Sequence, residues 1–301
     1  MTEDTREAPT VATEEAGGSV EAGDAAEPAT ATAADLGIDP PVALASLSGE
    51  ADAEWARAGA DYAGAAFLGG IALDATSREA VRAMVADRDR SEFLPEDPLA
   101  WIDEQLDSLA GDDLGLRAGV NVRATNAGAI RDAAAVCADR GAVLEVNAHC
   151  RQAELRAAGC GETLLADTGR LSGYVAAAAD EGAAVSVKVR AEVDGVDLAG
   201  TARAVADAGA DAIHVDAMDT EDVVGVVKDA APELVVIANN GVRDRRTVRE
   251  YLAAGADAVS VGRPSDDPRV MRRVRAAVDE WPDGEGPPDA TPGTDPAGVS
   301  R

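Results

Sequence analysis

Lysine is nearly missing from this chain: only Lys188 and Lys228 occur among 301 residues, against 56 acidic and 27 basic side chains. The formal net charge is −29. Such a polyanion does not capture nucleic acid by ordinary electrostatics at low salt, and no DNA partner is expected. The acids are spread along the chain rather than blocked, which argues against an acidic mimic of a partner. They read instead as adaptation to a salt-rich cytosol, where ions screen the self-repulsion. Aromatic residues are scarce at 3%, so a core drawn from the 46% hydrophobic residues must rest on Ala, Val, Leu and Ile. Three cysteines, Cys137, Cys150 and Cys160, are too few and of odd number for a disulfide framework. No apolar run approaches about 18 residues, and the N-terminus MTEDTREAPT is acidic and polar. A cytoplasmic protein without a membrane partner is expected.

What is present is a recurring unit. A helix ends near a glycine and a short β-branched strand follows, as in ARAGADYAGAAFL, ADRGAVLEVN, ADEGAAVSVKV, ADAGADAIHVD and LAAGADAVSVG. The glycine suits a helix C-terminus that needs positive φ, and the apolar run suits a parallel strand buried on both faces. Such runs predict eight strands: Val42–Ser46, Tyr62–Leu68, Arg117–Val122, Val143–Asn147, Ala184–Val189, Ala212–Asp216, Leu234–Ala238 and Ala258–Val261. A last helix is expected over Asp266–Trp281. Regular alternation of this kind predicts an α/β fold, a closed (β/α)₈ barrel over residues 39–282. The alternative, an open doubly wound sheet, is disfavoured because no GxGxxG turn follows the first strand. Residues 1–38 and 283–301 are polar or rich in Pro and Gly, and are expected to be disordered tails.

Ligands of such barrels sit at the C-terminal strand ends. Asn121 stands there on the third strand, and Asn147, His149, Cys150 and Arg151 at the fourth. Lys188 and Arg190 follow on the fifth, His214 and Asp216 on the sixth. Asn240 and Gly241 follow the seventh strand, and Gly262 and Arg263 the eighth. Alternation puts Ser186, Lys188 and Arg190 on one face and Val187 and Val189 on the other. A buried ammonium needs an anionic or polar partner, either a bound ligand or a structural acid such as Glu145. The NNG and VGRP turns suit a phosphate, with Arg263 able to add a bidentate contact, although Gly and Asn are also plain turn residues. Cys150 lies beside His149 and Arg151, which could tune a proton donor; the bland alternative is an inert thiol.

The stretch NAHCRQAELRAAGCGETLL, Asn147 to Leu165, resembles the signature of the tRNA-dihydrouridine synthase family: an Asn, a Cys three residues on, then Gly-x-Gly and a Leu pair. VSVKVR, GADAIHVD, VIANNG and VSVGRP resemble the family's later strands and phosphate turns, and PPVALASLSG is a weak match to its opening segment. The resemblance implies FMN at the barrel mouth, NAD(P)H as reductant, and a uracil ring as substrate. It implies Lys188 on the flavin ring, with Asn121 and Asp216 also facing the flavin. Asn240, Gly241, Gly262 and Arg263 would hold its phosphate. Asn147, with His149 and Arg151 beside it, would hold the uracil, and Cys150 would be the general acid. The chain departs from the family in several places. His149, Cys150 and Arg151 replace Gly-Cys-Pro, and Ala153 and Glu154 replace lysines. Asn121 replaces a Gln, and Asp216 replaces a flavin-contacting His. The segment after Trp281 reads as a short polar tail, so the family's RNA-gripping helical domain is not expected there. Three other readings stand beside uridine in tRNA. They are a flavoenzyme acting on a small pyrimidine, a degenerate barrel without catalysis, and an unrelated phosphate-binding barrel such as an isomerase.

Overall fold

The computed structural model describes residues 29–88, 91–218 and 220–281. Eight parallel strands close on themselves in chain order. They are β1 (Val42–Leu44), β2 (Ala65–Ala72), β3 (Arg117–Arg123), β4 (Val143–Asn147), β5 (Ala184–Arg190), β6 (Ala212–Asp216), β7 (Val235–Asn239) and β8 (Ala258–Val261). Among the described residues the helices are α1 (Ala53–Gly59), α2 (Ala75–Asp87), α3 (Pro98–Ala110), α4 (Ala127–Asp139), α5 (Ala153–Ala157), α6 (Thr168–Ala179), α7 (Leu198–Asp207), α8 (Asp222–Ala230), α9 (Arg245–Ala253) and α10 (Pro268–Asp279). The predicted barrel is therefore the observed one.

Local chemistry explains where these elements begin and end. Eight of the helices start on an Asp or Asn side chain that accepts a backbone N–H of the first turn, among them Asp74, Asp97, Asp197 and Asp244. Part of the acid excess is thus capping. Gly141, Gly182, Gly209 and Gly255 follow their helices at φ of 61°, 80°, 97° and 99°, as the repeated unit implied. Gly59 does not: it ends α1, and a Cβ there would lie 2.5 Å from Leu44 Cδ1. The second strand runs four residues past its expected end, through Gly69 and Gly70, with a register shift between Gly69 and Ile71. The last helix starts two residues late, on Asp267 as cap and Pro268 at its first position, after a 3₁₀ turn over Arg263–Asp266.

Outward strand residues such as Val120, Val146, Val187 and Val215 pack under the helices in the main core. Inward residues at the bottom, including Ala65, Phe67, Val143, Val235 and Ile237, form a second apolar cluster. Ala33, Leu36 and Ile38 complete it. This corrects the expected tail boundary. Residues 29–38 are not tail: a short 3₁₀ helix, Ala33–Leu36, plugs the barrel floor with three apolar side chains that bulk composition hides. The rest of the expected tails, residues 1–28 and 283–301, lies outside the described residues.

Lys228 fastens the plug. Its ammonium donates to Ala31 O (2.8 Å), Leu234 O (3.0 Å) and Asp257 Oδ2 (2.7 Å). Replacing Lys228 by Met removes these bonds and leaves a part-buried carboxylate unpaired, which should cost about 3 kcal/mol. Denaturant melts check this; a loss under about 0.5 kcal/mol, the range of ordinary surface substitutions, would mean the clasp is idle.

Candidate functional site at the barrel mouth

Above the apolar floor the inward face turns polar. Phe67 meets the His214 ring at 5.5 Å between centroids, and this contact marks the boundary. His214, Glu145, Ser186 and Ser260 have no exposed surface. Burying them is tolerable only because they satisfy one another. Glu145 Oε2 lies 2.7 Å from His214 Nδ1, and Glu145 Oε1 accepts from Asn121 Nδ2 at 2.7 Å. His214 Nε2 lies 2.7 Å from Ser260 Oγ, which accepts from Asn239 Nδ2 at 2.7 Å. On the other side Asn147 Nδ2 donates to Asn121 Oδ1 at 2.8 Å, and Asn147 Oδ1 accepts the Cys150 N–H at 3.2 Å. One network thus crosses the barrel from β7 to the loop after β4.

Protonation states follow from the surroundings. Burial opposes charge on Glu145, yet His214, Lys188 and Asn121 hold its pKa below the ordinary value, so it is a carboxylate. Burial and Lys188 lower His214. A neutral ring beside a carboxylate carries its proton on Nδ1, leaving Nε2 to accept from Ser260. His149 is held well below 6.5 by burial and by Lys188 and Arg123.

Both histidines of the chain therefore bind protons less readily folded than unfolded. Their contribution is full above an ordinary pKa of 6.5 and falls as pH drops toward the folded values. Glu145 adds a further loss below its ordinary 4.5. At multimolar salt surface repulsion is screened, so the melting temperature should hold from about pH 8 to 7 and fall from about pH 6.5 to 5. A melting temperature that is flat or rising over that acid interval contradicts these assignments.

A cavity of about 730 Å³ opens above the network, within the size range of small-molecule sites. Its walls carry Arg88, Arg123, Arg151, Arg190 and Arg263 but only two carboxylates, Glu50 and Asp216. Arg88, Arg123 and Arg190 are ion-paired with Glu154, Glu92 and Glu162, so Arg151 and Arg263 are the lining arginines without such a partner among the described residues. Arg123 is 2% exposed, paired with Glu92 at 2.9 Å and donating to Ser48 Oγ at 2.6 Å. Burial works against its charge, but Cys150 and Glu92 raise its pKa above the usual value. Arg190 pairs with Glu162 at 3.2 Å.

Cys150 lines the cavity and is 6% exposed. Its carbonyl accepts from Glu162 N at 2.9 Å, and the turn lies so close that a Cβ at Gly161, φ +63°, would sit 2.2 Å from that oxygen. Gly161, the second glycine of the Gly-x-Gly in the sequence signature, is therefore a steric requirement for seating Cys150. Cys137 and Cys160 have no exposed surface, and burial pushes both thiols up to about 12.

Eight of the residues singled out in the sequence line this one cavity: Asn121, Asn147, His149, Cys150, Arg151, Arg190, Asp216 and Arg263. Lys188 is inward, 3% exposed, with Asn147 and His214 as its strand neighbours. Its ammonium makes no hydrogen bond or ion pair among the described residues. The direct ion pair with Glu145 does not form, since Asn121, His214 and Ser186 occupy the Glu145 oxygens. Asn240, Gly241 and Gly262 are not cavity walls; they form the turns beside Arg263, with Asn240 at φ +95° and Gly241 at +68°. Asp216 Oδ1 and His149 Nδ1 are buried without partners. Sequence reasoning missed Arg123 and the roles of His214 and Ser260. Period-two counting from Asn121 reaches Arg123, the signal that could have found it.

No known family profile matches the chain. An uncharacterized protein of Methanocaldococcus jannaschii is 25% identical over 235 residues, spanning 75% of this chain and 89% of that protein. Among solved structures, DHODH of Eimeria tenella in complex with ferulenol has a TM-score of 0.59 at 16% identity, covering 79% of this chain and 80% of its own. A FabK mutant from Thermotoga maritima has a TM-score of 0.50 at 19% identity over 77% of this chain, which spans only 64% of that protein. 3-Hexulose-6-phosphate synthase from Salmonella typhimurium has a TM-score of 0.51 at 15% identity over 79% of this chain and 98% of its own. These likenesses establish the parallel eight-stranded barrel. Their different names show that the fold alone does not choose the chemistry. No helix among the described residues is long and apolar enough to cross a membrane.

Proposed function

We propose that the protein is an FMN-dependent oxidoreductase that reduces the C5–C6 double bond of a uracil ring, with uridine in tRNA as substrate and NAD(P)H as reductant. The observation that carries the reading is the Lys188 ammonium, buried on β5 between the cavity wall Asn147 and His214, with no hydrogen bond or ion pair among the described residues. A buried cation of this kind calls for a ligand with polar or anionic atoms. The orphaned Asp216 Oδ1 on the same wall needs a donor, which the N–H of a flavin or pyrimidine ring supplies. The residues thus fit FMN: Lys188 and Asp216 toward its ring, Arg263 and the turns at Asn240, Gly241 and Gly262 toward its phosphate. When bound and reduced by NAD(P)H, it would supply a hydride to ring carbon C6.

The chain's own residues do the rest. Asn147 and Asn121 hold the pyrimidine edge, His149 and Arg151 close over it, and Cys150 Sγ gives a proton to C5. The walls around Cys150 exclude bulk water from that transfer. A free pyrimidine as substrate is favoured by one observation: a net charge of −29 opposes binding of a long polyanion. The test supplies FMN, NADPH and unmodified tRNA transcript to the protein in high salt and counts dihydrouridine by mass. Product in tRNA supports the first substrate. Turnover of free uracil or orotate but not tRNA supports the second. Flavin-loaded protein that reduces none of them overturns the reading.

A further inference from the structure

Glu145 sits at the hub of the buried network with no exposed surface, and nothing in the proposed reaction uses it. As a carboxylate it can only accept hydrogen bonds. That forces Asn121 to turn its Nδ2 toward Glu145, and its Oδ1 toward Asn147 Nδ2. Asn147 is then fixed from both ends, because its Oδ1 also accepts the N–H groups of Cys150 (3.2 Å) and His149 (3.4 Å). Both asparagines are cavity walls. Each amide nitrogen keeps one hydrogen that the network does not consume. Asn121 Oδ1 is covered from the side by Gly70, where a Cβ would lie only 2.6 Å away. The pair therefore offers N–H groups, not carbonyls, to whatever occupies the cavity.

We propose that Glu145 is a positioning residue that fixes Asn121 and Asn147 as a hydrogen-bond donor edge, and that this edge selects a ring presenting a carbonyl oxygen over one presenting an amino group. The ring identity rests on the uracil reading above; the role of Glu145 does not. In chemical terms the site takes a 4-oxo pyrimidine and rejects a 4-amino one, whose N–H would face another N–H.

The test is a pair of substitutions whose effects should not add. Asn147→Asp places an oxygen against Asn121 Oδ1, and Asn121 cannot turn because Glu145 offers no donor. This variant should melt at least about 5 °C below wild type. Glu145→Gln alone should cost little. The new carbonyl still accepts from Asn121, and the new amide meets the other tautomer of His214. In the double variant the glutamine amide can donate to a turned Asn121, which then donates to the new aspartate. The double variant should recover at least half of the loss caused by Asn147→Asp. A double variant that melts at or below Asn147→Asp overturns the positioning role, whatever the cavity binds.

The ligand arm compares uridine and cytidine by titration. Wild type should prefer uridine by about tenfold or more, and the double variant should lose that preference. The same ratio in both proteins overturns the selection. Wild-type protein that binds neither nucleoside overturns the selection, while the reduction assay above decides the uracil reading and the melting comparison decides the role of Glu145.

Discussion

Replacing Lys188 by Met should give folded protein that purifies without flavin. Lys188 is 3% exposed, and its ammonium makes no hydrogen bond or ion pair among the described residues, so its donors are available to a ligand. A hydrogen bond to a charged group is worth about 1.5–3 kcal/mol, which corresponds to about 10- to 100-fold in affinity. Methionine keeps the stem's volume and removes only the charge. A second effect follows from the network. Lys188 is one of the groups that hold the Glu145 pKa down, after His214. Without it the folded pKa of Glu145 rises, so its stabilising contribution disappears at a higher pH on acidification. Fluorescence titration with FMN and melting temperatures at several pH values read both effects. Unchanged flavin affinity would show that Lys188 is structural.

Cys150→Ala should retain flavin and fold, yet lose turnover by about 10²- to 10⁴-fold, the usual worth of a positioned general acid. Cys150 differs from the other two cysteines in the respects that matter. It lines the cavity, and its backbone is held by Asn147 and by the turn at Gly161. Cys137 and Cys160 lie wholly within packed clusters, where alanine should cost stability and leave chemistry alone. Single-turnover reduction of uridine, measured alongside bound flavin, separates the two effects. A Cys150→Ala protein within twofold of wild type would remove this thiol from the mechanism.

Much of the barrel was legible because each βα unit carries its own signals. The glycine after α4, α6, α7 and α9 marks the helix end, and the apolar run after it marks a strand buried on both faces. The plug over residues 33–38 was not legible. Its three apolar residues gain their meaning only from the floor they cover, which comes from strands far away in sequence. The same reason hid the network. Alternation put Lys188 on the face opposite Val187 and Val189, and the fold turns that face inward. Yet alternation could not say that the Glu145 oxygens are already taken by residues from β3, β5 and β6. Strand shear sets which inward residues meet, and no local pattern records it. Arg123 shows the limit from the other side: period two from Asn121 could have placed it, but its partner Glu92 stands on a connection whose path only the fold determines.

The most direct test of the central claim is the absorption spectrum of protein purified in multimolar salt, with any released small molecule identified by mass. The account predicts a flavin spectrum and FMN, bound at one equivalent per chain and lost in the Lys188→Met variant. A colourless wild-type protein that takes up no FMN when it is supplied would contradict the flavin site and the roles built on it.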